Sequence, residues 1–540
     1  FGSRLKSLTS THSFRTPLLA TLSYRRRSDR MGCGTALLRL LPFGLAIGLH
    51  VKTDLDDPYV KPFLGYTLGA NWADNVDGAN PLERSPDASP ACPRVGLPPY
   101  FDATKCLDDG FGNSYPFRPD ELETILAQRV EGSYSNAMHV FQNIVGGGVA
   151  NIVVIGGSMT SGTECEQSLP DGTILSGFEC AWSARLRKIL KNAFPSSKIN
   201  LINLAHGGTT SSVVLGGIGL LFQSLGDLNI DIVILDTLVN DASEGKRWGT
   251  ATASPLTAER VVSITYEGLV RAVHDQYPKT MLVSLFTGCP KCHRMKPHQH
   301  AIANHYNIPH IDYGSLVLAH PEDPRIWNGK NHPDWMGHQL VADVIAGVWD
   351  KVLEKSCANA DTDSHVWPSA PFNKEEELAL FPSCRHPMSW FSAFESIKPH
   401  SKVPQPSYLD GWRLFEDRPG KPGWISETPS VNSGAIMRVP LKFGPEPKLA
   451  VTFLRSYEGM GDADLVMNGR TATLHGLWGS ENVEKVSQSF VAWFNAGINL
   501  SQPQFGEGGA NGFGIAPNQE AELEIQSSGN RFKIIELSSC

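Results

Sequence analysis

Between residues 120 and 355, short apolar runs alternate with longer segments of helical periodicity. The apolar runs predict strands at 151–156, 199–204, 231–235, 280–286 and 308–311. The segments around them predict helices at 120–141, 178–194, 211–225, 257–276, 296–306 and 334–354. Strands that alternate with helices indicate a parallel sheet covered on both faces. The expected fold class of this region is therefore α/β.

The pattern changes after residue 405. Short alternating runs of apolar and polar residues, separated by Gly, Pro and Asn, replace the helical periodicity. They predict an all-β accessory domain, a sandwich, over residues 405–540. Residues 356–404 mix Pro, Ser and acidic residues and are typical of a linker or covering segment. Residues 52–119 are rich in Pro, Gly, Asn and Asp and predict an irregular extension.

Residues 1–51 have the composition of a leader. The first 30 residues carry seven Lys or Arg, one Asp and six Ser, which is typical of an organelle transit peptide or of translated non-coding sequence before Met31. The apolar run from Ala36 to Val51 is short for a membrane span and suits a signal-peptide core. We expect a secreted or lumenal protein. An uncleaved membrane anchor or an organellar address is the alternative, and a membrane is a partner only in the first of these.

Composition sets limits on partners and compartment. At 540 residues the chain is long enough for about three units, and its net charge of −8 disfavours a nucleic-acid partner. Ten cysteines suit an oxidising compartment. Their spacing suggests three near-neighbour pairs: Cys92–Cys106, Cys165–Cys180 and Cys357–Cys384.

Ser158 lies where the most apolar strand ends, in the stretch NIVVIGGSMTSG from Asn151 to Gly162. A glycine-rich turn after a buried strand can cradle a phosphate or hold a nucleophilic hydroxyl. The stretch lacks the lysine of a P-loop, which favours the nucleophile. A serine that only caps the following helix is the structural alternative.

Three further candidate positions follow predicted strands, and they offer either a polar side chain or an exposed backbone N–H group. They are Gly207 and Gly208 in NLAHGGTT, Asn240 before Asp241, and His332 before the last helix. A parallel sheet brings such turns to one edge, where ligands bind. His332 can serve as the base for Ser158, while the backbone N–H groups of Ser158 and Gly208 and the amide of Asn240 can form an oxyanion hole. Asp241 is interpreted as a turn brace.

These positions, in chain order, resemble the motifs of the SGNH hydrolases, the GDSL-type esterase superfamily. The family's motifs are Gly-Asp-Ser-Leu, an Asn followed five residues later by Gly, Gly-x-Asn-Asp, and Asp-x-x-His-Pro. Their counterparts are Gly156-Gly157-Ser158-Met159, Asn203 with Gly208, Leu238-Val239-Asn240-Asp241, and Gly329-Lys330-Asn331-His332-Pro333. The resemblance covers the hydrolase domain, residues 120–355. It implies a flavodoxin-like three-layer fold, with Ser158 as nucleophile, His332 as base, and Ser158, Gly208 and Asn240 around the oxyanion.

The chain departs from these motifs at Gly157, Leu238 and Gly329. The last departure matters for chemistry, because the family's acid that orients the histidine stands at that position. Asp323 and Asp334 are the nearest substitutes in the sequence. A Ser-His dyad is the other possibility.

Two further features have competing interpretations. The loop with Cys289, Cys292, His293, His298 and His300 resembles a zinc site, but a disulfide fits an oxidising compartment better. Four tryptophans of the β region belong either to its core or to a sugar-stacking surface: Trp412, Trp424, Trp478 and Trp493.

The sequence therefore predicts a serine esterase that hydrolyses an acyl ester, on a small molecule or a polysaccharide, without a metal or cofactor. An O-acyltransferase with the same residues is one alternative. A catalytically inactive glycan-binding protein, which would account for Gly329, is the other.

Overall fold

The structure is a computed structural model, and all the residues that it describes lie within one compact unit, Thr53–Cys540. The described residues are 135–242, 256–288, 294–328, 332–358, 367–399, 401, 403–418, 420–426, 434–478, 487–497, 512–528 and 531–540. The predictions for residues 1–119, and those that rest on Cys92, Cys106, Cys289, Cys292 or Gly329, lie outside them.

The first part of the described chain, up to Ile311, contains seven strands. In chain order they are β1 (Val149–Gly156), β2 (Glu166–Ser168), β3 (Ile174–Ser176), β4 (Lys198–Asn203), β5 (Ile232–Asp236), β6 (Met281–Leu285) and β7 (His310–Ile311). Strands β2 and β3 form a small hairpin, and the other five form a parallel sheet in the order β4-β1-β5-β6-β7. This is the flavodoxin-like strand order, with the first strand of the sheet between the second and third.

Helices cover both faces of this sheet. The longer ones are α1 (Ser135–Val145), α3 (Trp182–Ala193), α4 (Ser211–Gly216), α5 (Ile218–Leu225), α6 (Ala258–Gln276), α7 (Lys296–His305), α8 (Tyr313–Ala319) and α9 (Trp335–Ala358), and the short α2 is Ser158–Ser161. Residues 238–242 are helical as well. Along β1, Ile152 and Val154 pack with α1, α3 and α9, whereas Val153 and Ile155 pack with α5 and α6. Because alternate residues of a strand face opposite sides, a continuous apolar run is what a sheet buried on both faces requires. The predicted α/β fold with three layers is confirmed.

The predicted helix 211–225 is divided at Gly217. Helix α4 ends before this glycine and α5 begins after it. A Cβ at this position would lie 3.2 Å from a carboxylate oxygen of Glu536, which belongs to the β region. Glycine is also a weak helix former, so this position both admits the neighbouring carboxylate and interrupts the helix.

The C-terminal region contains two antiparallel sheets. It begins with the short helix α10 (Glu375–Leu378), the strand β8 (Ser389–Ser392) and the short helix α11 (Ala393–Ser396). The strands that follow are β9 (Tyr408–Asp410), β10 (Trp412–Glu416), β11 (Pro422–Ser426), β12 (Ala435–Lys442), β13 (Lys448–Arg455), β14 (Asp462–Met467), β15 (Arg470–His475), β16 (Gln488–Asn495), β17 (Glu520–Ser528) and β18 (Lys533–Ser539). One sheet has the order β10-β11-β18-β13-β16, with β8 paired to β18, and the other has the order β15-β14-β17-β12-β9. Apolar side chains of both sheets share one core. The predicted sandwich is confirmed.

The four tryptophans of the β region lie in this core. Their exposed fractions are 3% for Trp412, 1% for Trp424, 8% for Trp478 and 3% for Trp493. The guanidinium of Arg455 also lies over the Trp478 ring, 4.3 Å from its centre. Buried rings offer no face to a sugar, so the core interpretation is correct for these residues.

Two disulfides are present in the described part of the chain. Cys165–Cys180 agrees with the spacing prediction. Cys384 pairs with Cys540, so the predicted Cys357–Cys384 pair is wrong. The reason is the pairing of β8 with β18, which brings residues just after Cys384 beside the chain's last residues. Sequence spacing carries no signal for a contact that strand pairing creates.

None of the helices in the described ranges has the length and apolar character needed to cross a bilayer.

Candidate active site

The turn after β1 presents Ser158 at the carboxyl edge of the parallel sheet. Gly156 ends the strand, and a Cβ there would lie 2.4 Å from Thr160 Oγ1 and 2.6 Å from the Asp236 carbonyl oxygen. Only glycine fits this position without displacing one of these atoms. Ser158 then begins the one-turn helix α2 and is half-buried. The sharp turn keeps its side chain near the sheet edge.

Asp236, the last residue of β5, stabilises this turn by hydrogen bonds. Its carboxylate accepts hydrogen bonds from Thr160 Oγ1 at 2.6 Å and from Thr287 Oγ1 at 2.7 Å. Burial raises the pKa of Asp236 to about 6, and the two threonine hydroxyls limit the rise. Sequence reasoning missed Asp236 because it completes a buried apolar strand. Its carboxylate ties the turn that carries Ser158, the predicted nucleophile, to β5 and β6; we call this turn the nucleophile turn.

Asn240 lies against the nucleophile turn. Its Nδ2 donates to the Thr209 carbonyl oxygen at 2.9 Å. A Cβ on Gly157 would lie only 1.8 Å from the same Nδ2. This close approach explains why glycine stands where the family's first motif has aspartate: the carboxamide occupies the space of a side chain. Asp241 accepts from Ser211 N at the start of α4 and from Thr237 Oγ1, so it joins two segments rather than bracing a single turn.

The glycine pair of the second motif borders the same turn. The Cβ position of Gly207 is 3.8 Å from Ser158 Cβ. Gly208 has φ +85°, in the left-handed region that favours glycine. Asn203 holds this segment to α2, since its Nδ2 donates to the Thr160 carbonyl oxygen at 2.8 Å. The first three motifs therefore meet around Ser158.

His332 meets the nucleophile turn through Glu164. Its Nδ1 lies 3.2 Å from Glu164 Oε2, within ion-pair distance, although the geometry is too bent for a hydrogen bond. The side chain of His332 is 18% exposed and that of Glu164 is 54% exposed. Glu164 follows Ser158 by six residues, so the contact places His332 beside the loop that comes after the first motif.

The two acids nearest to His332 in sequence have other partners. Asp323 binds the guanidinium of Arg325, which holds the pKa of this carboxyl below its ordinary value. Asp334 accepts from the backbone N–H groups of Met336 and Gly337 and so caps the start of α9.

Buried imidazoles flank the site on two sides. Burial lowers the pKa of His206 to about 3, and the positive charges of Lys421 and Lys533 add to the effect. Burial likewise lowers the pKa of His338 to about 3, with contributions from Arg185 and His332. His338 Nδ1 accepts from the Trp182 backbone N–H at 3.2 Å. Both rings are therefore neutral near pH 7.

The β sandwich reaches the rim of the site. Lys421 Nζ lies 3.8 Å from the Cβ position of Gly207, and Gln488 Cγ lies 3.6 Å from that of Gly208. Lys421 is exposed and Gln488 is buried. Nothing in the sequence connected these residues to the catalytic motifs, because the contact is made only when the two regions pack together.

Comparison with protein families identifies the class of the α/β region. Residues 154–340 match the GDSL-like Lipase/Acylhydrolase family. The predicted resemblance is confirmed for these residues, and the match indicates an enzyme that hydrolyses ester bonds. A search of curated protein sequences gives no match.

Solved structures resemble the chain at low sequence identity. A two-domain esterase (CEX) active on acetylated mannans, co-crystallised with mannopentaose, is 18% identical, with 76% of this chain and 96% of that chain covered and a TM-score of 0.50. An acetyl xylan esterase is 17% identical over 36% of this chain and 98% of that chain, with a TM-score of 0.29. The esterase EstA from Pseudoalteromonas is 16% identical over 38% and 98%, with a TM-score of 0.28. The first of these matches is a likeness of fold.

Proposed function

We propose that the protein is a serine esterase that removes acyl groups from a carbohydrate by a Ser-His double displacement. One observation carries the proposal: the Asn240 carboxamide and the Gly207–Gly208 turn converge on the turn that presents Ser158. A hydroxyl bordered by a side-chain amide and by backbone N–H groups at a sheet edge is the arrangement that acyl transfer requires. The family of the α/β region supports the same reaction class.

The reaction proceeds through an acyl-enzyme. Ser158 Oγ attacks the acyl carbon, and His332 takes the hydroxyl proton. The resulting oxyanion accepts hydrogen bonds from the N–H groups of Ser158 and Gly208 and from Asn240 Nδ2. Collapse of the intermediate breaks the bond to the alcohol, which leaves with the proton from His332. Water then attacks the acyl-enzyme by the same steps and releases the free acid and Ser158.

The carbohydrate part of the proposal rests on the sandwich. Lys421 supplies an exposed donor at the rim of the site, the kind of group that binds sugar hydroxyls. The two-domain esterase with a similar fold acts on acetylated mannans, which supports an acetylated polysaccharide as the substrate class. We assign 120–355 to the hydrolase domain and 405–540 to the accessory domain.

We propose that the protein is secreted. The disulfides Cys165–Cys180 and Cys384–Cys540 require an oxidising environment to form and persist. The apolar run from Ala36 to Val51 has the length of a signal-peptide core. Expression with its N-terminal region in a secreting host, followed by sequencing of the exported chain, tests this: a new N-terminus beyond this run supports secretion, and a cell-retained, uncleaved chain contradicts it.

The catalytic proposal is tested by two substitutions and two controls. Ser158→Ala should abolish release of acetate from acetylated manno-oligosaccharides, and Asn240→Ala should lower kcat by ~10²–10³-fold. Ser168→Ala and Asn304→Ala change the same residue types at exposed positions away from the site and should leave turnover unchanged. Wild-type turnover in both Ser158→Ala and Asn240→Ala would refute the proposal. Transfer of the acetyl group to a second sugar, without free acetate, would show an acyltransferase instead.

A further inference from the structure

We infer that Glu164 is the acid that positions His332. The inference rests on the proposed function, because it gives His332 the role of base. The family's motif places this acid three residues before the histidine, where this chain has Gly329. Here the carboxylate comes from a different part of the chain, the loop that follows Ser158.

The contact itself is the first observation. Glu164 Oε2 lies 3.2 Å from His332 Nδ1, and it is the acid within ion-pair distance of this histidine among the residues that the structure describes. The Nδ1 atom is buried and has no hydrogen bond of good geometry. A buried ring nitrogen without a partner is unfavourable. A small rotation of the exposed Glu164 side chain would complete the bond, and such bonds often tighten only when substrate binds.

The backbone of Glu164 is the second observation. Its φ is +64°, in the left-handed region, where a residue other than glycine is uncommon. Local interactions hold it there: Thr163 N donates to the Ser158 carbonyl oxygen at 3.0 Å, and Cys165 is tied to Cys180 by a disulfide. Strain of this kind concentrates at functional sites. In this turn it directs a carboxylate toward His332 from a segment hydrogen-bonded to the nucleophile.

The carboxylate would act through the histidine. When His332 takes the proton of Ser158, it becomes an imidazolium, and a negative charge beside Nδ1 stabilises that cation. An Nδ1–H directed at Glu164 also leaves Nε2 free to accept the serine proton. No proton is transferred to the carboxylate in this scheme. Glu164 is thus a positioning residue, and the reacting atoms belong to Ser158, His332 and the ester.

The expected loss of kcat on replacing Glu164 depends on how exposed its side chain is to solvent. In a serine protease, replacing the buried orienting aspartate lowers kcat by ~10⁴-fold. Glu164 is 54% exposed, and solvent weakens the interaction of exposed charges. We therefore expect Glu164→Gln to lower kcat by about 10- to 100-fold, a range that lies below the protease value.

The experiment compares Glu164→Gln, Glu164→Asp and a matched control, Glu166→Gln, on a short-chain acyl ester. Glu166 is an exposed glutamate two residues further along the chain. We expect Glu164→Gln to lose kcat with KM within about twofold, because the residue does not touch substrate. Glu164→Asp should recover part of the loss, and Glu166→Gln should match the wild type. Proton NMR should show a downfield imidazole N–H signal that Glu164→Gln removes and Glu166→Gln keeps.

Three results would overturn the inference. They are a wild-type kcat in Glu164→Gln, a rise in KM alone, or the same loss in Glu166→Gln. Ser158→Ala and His332→Ala, measured in parallel, separate this failure from failure of the proposed function. If those two variants are inactive while Glu164→Gln is fully active, only the role of Glu164 is wrong. Equal melting temperatures of wild type and Glu164→Gln exclude loss of the fold as the cause.

Discussion

Restoring the common family residue at position 157 should damage the enzyme. The backbone of Gly157 has φ −100° and ψ −151°, which any residue can adopt, so a substitution there meets no backbone strain. The obstacle is Asn240, whose Nδ2 would lie 1.8 Å from the new Cβ. Ordinary contacts between non-bonded heavy atoms are ~3.5–4.0 Å, so the carboxamide must move by roughly 1.5 Å or more.

That displacement has two costs. Overpacking and loss of the 2.9 Å hydrogen bond from Asn240 to Thr209 should together destabilise the fold by about 2–4 kcal/mol. Misplacing an oxyanion donor by this distance should lower kcat by ~10²-fold or more. Gly157→Ala introduces the Cβ alone and should show most of both effects, while Gly157→Asp should be no more active than Gly157→Ala.

The assay is kcat for a short-chain acyl ester, together with the free energy of unfolding from denaturant titration. Gly444→Ala is the control, because its Cβ would meet its nearest atoms at 3.4 and 3.7 Å, ordinary contact distances. If Gly157→Asp kept the wild-type kcat, the position assigned to the Asn240 carboxamide, and with it the explanation of this glycine, would be wrong.

Three other predictions concern the β sandwich and its contacts with the α/β region. Burial, with the negative charge of Glu395, raises the pKa of Glu536 from 4.5 to about 8; its stability contribution is therefore full below pH 4.5 and lost as pH rises through 8. Thermal unfolding at pH 5 and at pH 8.5 tests this. From the lower to the higher pH, the unfolding free energy of Glu536→Gln should rise relative to that of the wild type by on the order of 4 kcal/mol, and a pH-independent difference would contradict this. Lys421→Ala should raise KM several-fold for an acetylated oligosaccharide but not for p-nitrophenyl acetate; equal changes for both substrates would exclude a sugar contact. Replacing Cys384 and Cys540 by serine removes a link between residues 156 apart and should cost about 2–5 kcal/mol of unfolding free energy, whereas unchanged denaturant midpoints would refute this.

The parallel sheet and the nucleophile turn were predictable from local sequence. The run Ile152–Ile155 is apolar at every position because both faces of β1 are covered, and a glycine pair followed by Ser158 marks the turn after it. Motif spacing likewise led to Asn240, whose carboxamide lies against that turn.

The features that could not be predicted from the sequence depend on contacts between distant segments of the chain. Glu164 looks like an ordinary loop glutamate, and its contact with His332 arises only when the segment before α9 folds back to the loop after Ser158. The Cys384–Cys540 bond follows from strand pairing. The carboxyl group of Glu536, from the neighbouring sandwich, lies against Gly217, where the predicted helix is divided. None of these contacts has a signature within ten or twenty residues of chain, so spacing and periodicity could not reveal them.

The nucleophilic role of Ser158 can be tested directly by labelling. The protein is incubated with a serine-reactive fluorophosphonate, digested, and mapped by mass spectrometry. We expect a single adduct on the peptide that contains Ser158. It should be absent after Ser158→Ala and should form more slowly in His332→Ala. An adduct on a different serine, or no adduct with an enzyme that still hydrolyses esters, would contradict it.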